Sequence, residues 1–84
     1  MSGVVLLFGR LKDAFGAASI PLPEGVGTAA ELRAMLIALN PDLADVLRAK
    51  TVRIAVNQEL VTDEAGTRIS EADEIGLLPP LSGG

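Results

Sequence analysis

The residues of this chain that could do chemistry are defined first by what is missing. Its 84 residues include no cysteine and no histidine. There is therefore no thiol nucleophile and no disulfide framework, no imidazole to move protons near neutral pH, and no Cys/His set to hold zinc. Carboxylates, two lysines, hydroxyls and the chain terminus remain.

The carboxylates cluster late in the chain, at Asp63, Glu64, Glu71, Asp73 and Glu74. Paired carboxylates can serve as acid and base or bind a hard cation. Their spacing matches no calcium loop, and they fall in a polar stretch, so a solvated acidic face is the first reading and a docking surface for a basic partner the second. Gly25 and Gly27 form a G-x-G before a helix start. No third glycine and no phosphate-binding lysine come after it, so a turn into the helix is expected rather than a phosphate cradle. Lys12 and Lys50 have no neighbouring base and read as surface residues. No metal site and no bound cofactor are expected.

The terminus is more informative. The chain closes on Leu77-Leu78-Pro79-Pro80-Leu81-Ser82-Gly83-Gly84. Two prolines fix their backbone φ angles and project the last four residues as an extended arm. Glycines without Cβ atoms can thread a channel too narrow for other residues. The Gly84 carboxylate is ionised at neutral pH, since an α-carboxyl titrates near ~3.5, and is then a poor electrophile. Adenylation with ATP by another enzyme would make it a mixed anhydride, from which a thiol or sulfide can displace AMP. Sulfur could then be carried without a cysteine, as a thiocarboxylate on Gly84.

Such a terminus needs a small scaffold, and the composition supplies one. The length fits a single domain with one modest core. A net charge of −4 and only two aromatic residues, Phe8 and Phe15, argue against nucleic acid as partner. Hydrophobic residues make up 49% of the chain before glycine is counted, more than a small domain can hide, so apolar surface is expected to be left for another protein. No stretch approaches a membrane span, the start does not resemble a signal peptide, and the cytoplasm is the expected compartment.

The elements can be read from pattern. Val4 to Phe8 is a continuous apolar run and predicts a central strand buried on both faces. Arg10 to Gly16 predicts a single helical turn or a loop, closed by Gly16. Ala18 to Pro23 alternates and carries two prolines, which predicts an edge strand. Thr28 and Glu31 form a capping box ahead of Leu32, Met35, Leu36 and Leu39, the predicted buried face of the main helix. Asn40-Pro41 stops that helix, and Leu43, Val46 and Leu47 predict a second, short one. Val52, Ile54 and Val56 mark a strand with one buried face, Asn57-Gln58 a turn, Leu60-Val61 a return strand, Arg68-Ile69 a short strand, and Glu74 to Pro80 the last strand. In that last strand, Ile75 and Leu77 should face the helix and Leu78 should face out. A mixed α+β sheet of about five strands with one main helix packed across it accounts for this order. The expected division is a domain over residues 1–78 and a tail over residues 79–84.

The ending Leu77-Leu78-Pro79-Pro80-Leu81-Ser82-Gly83-Gly84 resembles that of the MoaD family, the small, sulfur-carrier subunits of molybdopterin synthase. The segment from Leu7 to Gly16, with its Lys12-Asp13 pair, is similar to that family's first strand and turn. The segments Val52 to Val61 and Glu71 to Pro80 are similar to its later strands, so the likeness runs the length of the chain. The resemblance implies a β-grasp, ubiquitin-like fold. It also implies a mechanism in which a relative of ubiquitin-activating enzymes, using ATP and magnesium, adenylates Gly84. A sulfur donor then makes the thiocarboxylate. The tail enters a pocket of a large subunit, which holds the catalytic groups, and delivers sulfur to cyclic pyranopterin monophosphate. Two small and two large subunits would assemble. On this mapping Gly84 is the acyl carrier, Gly83 gives clearance, and Pro79, Pro80, Leu81 and Ser82 form the arm. Phe8 and Leu78 belong to the docking surface. The stretch Gly76-Leu77-Leu78 departs from the pattern, standing where many members of the family carry bulkier aromatic residues.

Three other readings share the features. A thiazole-pathway carrier of ThiS type would lack the Pro-Pro arm and most of the segment Asn40 to Lys50. A ubiquitin-like modifier would join Gly84 to target lysines. A plain binding module would carry an inert tail.

Overall fold

The computed structural model describes residues 3–49 and 51–79. The element order is β1 (Val4–Leu7), α1 (Arg10–Phe15), β2 (Ser19–Pro21), α2 (Ala29–Leu39), a 3-10 turn (Pro41–Leu43), α3 (Ala44–Arg48), β3 (Arg53–Val56), β4 (Glu59–Leu60) and β5 (Ile75–Leu78). The strands form one five-stranded sheet in the order β2-β1-β5-β3-β4. β1 and β5 pair in parallel at its centre, and the other pairings are antiparallel. This is the β-grasp arrangement, with the first and last strands side by side.

Strand register divides the side chains between two faces. Val5, Leu7, Ile54, Ile75 and Leu77 are buried beneath the helices, where Ala29, Leu32 and Leu36 of α2 and Leu11 and Leu47 of the shorter helices meet them. Ile75 and Leu77 face the helix, as the alternation of β5 predicts. β1 corrects its sequence reading. It is buried on one face only: Val4 is 49% and Phe8 45% exposed. The run is apolar on both sides because its outer side chains form a surface, not a second core.

Helix α2 begins at its predicted cap, with some differences. The Thr28 hydroxyl accepts from the Glu31 N–H at 3.1 Å. The Glu31 carboxylate accepts from the Gly27 N–H at 2.7 Å rather than from Thr28, one residue ahead of the position a capping box uses. Leu39 is 61% exposed rather than buried, at the last residue before Asn40 ends the helix. The Asn40 N–H and side-chain amide both donate to the Leu36 carbonyl, closing the helix end. In α3 the predicted spacing buries Leu47 and leaves Val46 exposed. Edge strand β2 ends on Pro21, as expected, and the Asn57-Gln58 turn has both residues at positive φ, 52° and 70°. That is the type I′ geometry matched to hairpin twist.

Candidate functional site: an apolar sheet face beside the tail

The outer sheet face is built around a gap. Leu6 and Ala55 flank Gly76 in register, and Leu60 lies opposite Ala55. These residues share the face with Val4, Phe8 and Leu78. Gly76 supplies no side chain, and Phe8 takes its place. The Phe8 ring edge lies 3.0 Å from where a Gly76 Cβ would stand. The Phe8 ring, one residue past β1, thus covers the centre of β5 and supplies an aromatic over the stretch Gly76-Leu77-Leu78, where the family resemblance leads one to expect bulkier aromatics.

The face leads directly to the tail. Leu78, half-buried, closes β5, and Pro79 is next in the chain. The Pro79 ring packs over Gly9, whose φ is +55°; a Cβ there would lie 2.9 Å from the proline Cγ. Two glycines, then, accept a ring each: Gly9, ahead of α1, the Pro79 ring, and Gly76, in β5, the Phe8 ring. Neither carried a motif that spacing could reveal. Of the site residues expected from sequence, Phe8, Leu78 and Pro79 converge on one end of this face. Pro80, Leu81, Ser82, Gly83 and Gly84 lie outside the described residues, as does Lys50.

The acidic residues do not form a site. Glu64 pairs with Arg33, Nη2 to Oε2 at 2.7 Å. Asp73 accepts from the Asn57 side-chain amide at 3.0 Å and from the Ser70 N–H at 2.8 Å. These bonds, that from Asn57 foremost, hold its carboxyl below the usual range. Among the described residues no group of three or more acidic side chains could hold a metal ion, and no helix is long and apolar enough to cross a membrane. The Gly25 turn, at φ +81°, leads into the helix cap.

The sequence profile of the ThiS family matches residues 5–84. The molybdopterin synthase sulfur carrier subunit of Dictyostelium discoideum is 34% identical over 82 residues, which cover 95% of this chain and 93% of the relative. Among solved structures, the complex of subunits 1 and 2 of the molybdopterin-converting factor from Helicobacter pylori contains a chain 28% identical, with a TM-score of 0.66 and full coverage of both chains. The small archaeal modifier protein 1 (SAMP1) from Methanosarcina acetivorans is 26% identical with a TM-score of 0.76, covering 99% of this chain and 96% of that one. The β-grasp sheet, the whole-length profile match and a relative of this identity together place the chain in the ThiS family, with the sulfur-carrier subunits of molybdopterin synthase.

Proposed function

We propose that this chain is the sulfur-carrying subunit of a molybdopterin synthase. The observation that carries the reading is the continuous path from an apolar, ring-covered sheet face through Leu78 and Pro79 into a tail ending in Gly83-Gly84. Residues 79–84 act as the arm. The Gly84 carboxylate attacks the α-phosphorus of ATP in the activating enzyme, with magnesium, and pyrophosphate leaves. Sulfide delivered by a sulfur donor displaces AMP and leaves –C(=O)S⁻ on Gly84. Phe8 and Leu78 seat the domain on the large subunit, and the arm carries the thiocarboxylate into that subunit's pocket. Each sulfur delivery to cyclic pyranopterin monophosphate returns the tail to a carboxylate. The chain itself supplies no acid-base group to this chemistry, in keeping with the absence of histidine and cysteine. The H. pylori complex supports a second subunit as the partner. The short helical segment over residues 41–48 supports the pterin pathway over a thiazole-pathway carrier.

Deletion of Gly84 tests the mechanism. Sulfur transfer to the pterin should be abolished while the thermal midpoint stays unchanged, because the buried core of the described residues runs from Val5 to Leu77. Pterin dithiolene formation by the truncated protein would overturn the reading. The likeness to SAMP1 supports one alternative, attachment of Gly84 to lysines of other proteins. A ladder of conjugates in cells, sensitive to the same deletion, would favour it.

A further inference from the structure

At the end of the sheet from which the tail leaves lies an open hollow of about 430 Å³, lined by Arg33, Arg48, Arg53, Val61, Thr62 and Glu64. Three of the seven basic residues of an acidic chain meet there. Arg33 is fully engaged: it pairs with both Glu64 oxygens and donates to the carbonyls of Leu47, Ala49 and Val52. It neutralises Glu64 and makes one wall rigid. The other two cations have no carboxylate partner among the described residues. Arg53 donates once, to the Val61 carbonyl at 3.2 Å, which steers its guanidinium and leaves most of its N–H donors open. Arg48 is exposed at the end of α3, and its guanidinium bonds to no described residue. The Thr62 hydroxyl lies on the same rim.

Position identifies the occupant. Arg53 pairs directly with Leu78 in register and points to the outer face, since Val52 and Ile54 are buried on the other. Arg53 therefore joins the rim of the hollow to the apolar face beside the residue from which the tail departs, while Arg33 of α2 and Arg48 of α3 bring the rest of the lining from the helix side. A protein that covers that face and takes the tail would reach the Arg53 side of the rim. A planar guanidinium fork matches a carboxylate, whereas the chain's net charge of −4 repels a polyanion such as nucleic acid.

We propose that Arg48 and Arg53, with the Thr62 hydroxyl, form a receptor for a surface carboxylate of the protein that seats the tail. This rests on the proposed docking of the sheet face and adds a specificity element to it. Charges at the rim of an apolar interface act chiefly on encounter rate and register, and that is the role of this pair.

Stopped-flow association of the full chain with the molybdopterin synthase large subunit of the same organism, across a salt series, tests it. Arg48→Glu and Arg53→Gln together should slow association about tenfold or more at low salt. The deficit should vanish near ~0.5 M salt, where charges are screened within a few ångströms, and the thermal midpoint should hold. Leu78→Glu is the control and should weaken binding at every salt concentration. Equal rates for wild type and the double variant at all salt concentrations, with Leu78→Glu still defective, would overturn the receptor alone. A wild-type chain that fails to bind the large subunit overturns the docking reading and the receptor with it. NMR titration of the arginine Nε–H signals separates the sources of the anion. Shifts with acetate support a carboxylate receptor, whereas shifts with inorganic phosphate alone overturn it.

Discussion

Gly9 and Gly16 flank the same short helix at positive φ, yet their surroundings differ. A Cβ on Gly16, at φ +74°, would meet nothing within 4 Å, while one on Gly9 would strike the Pro79 ring. Gly16→Ala should therefore cost only backbone strain, about 1 kcal/mol. Gly9→Ala should cost about 1 kcal/mol more by denaturant unfolding, and should shift the Pro79 NMR signals, which Gly16→Ala should leave in place. Asp73 gives a pH dependence. Its carboxylate, lowered by the Asn57 and Ser70 bonds, favours the folded state when ionised. Its contribution is complete above the unfolded carboxylate value and is lost as pH falls through the lower folded one. The stability difference between wild type and Asp73→Asn should hold steady above about pH 5 and shrink below about pH 4. Equal acid limbs for the two proteins would show that the turn draws nothing from the charge. Alternation in the last strand marked Leu78 as outward-facing, whereas pattern alone placed Phe8 in a buried strand and only the family resemblance suggested it for the docking surface. Reading from sequence missed what Gly9 and Gly76 do, since a glycine's role depends on which ring arrives from another strand.

At the scale of elements, Arg33 fastens α2 to the chain entering β3 and to the loop after β4. Its Glu64 partner is 31 residues away, so no local pattern announces it. The pair is only 16% and 28% exposed, and removing Arg33 strands Glu64 along with the Leu47, Ala49 and Val52 carbonyls. Arg33→Ala should cost about 2–3 kcal/mol in urea unfolding, with Glu64→Gln milder; a loss near zero would mean that water replaces the network. The α2 cap, by contrast, was legible because capping is local chemistry within four residues. Leu39 and β1 misled for one reason. Periodicity reports which side chains are apolar, and only the tertiary arrangement decides which of those faces is covered. Leu39 falls at the uncovered end of α2, and the outer half of β1 has no helix over it.

For the whole molecule, fold and site were legible to different degrees. The element order sufficed for a mixed sheet crossed by one helix, because each strand and the helix cap carried its own signal. The tail chemistry proposed for Gly83-Gly84 and the two prolines rests on residue type and not on burial, and Pro80 to Gly84 lie outside the described residues. The basic hollow was not legible, because Arg48, Arg53 and Thr62 come from three segments whose meeting only the sheet register determines.

The central placement of β5 has a mechanical consequence. Its residues pair with β1 on one side and β3 on the other, so a tension applied at Pro79 runs along the strand axis and loads both ladders in shear. The bonds then share the force and must fail together rather than open one at a time, as they would at an edge strand. A carrier whose tail is gripped and drawn into successive enzymes can be tugged by that tail without the pull unravelling the domain behind it.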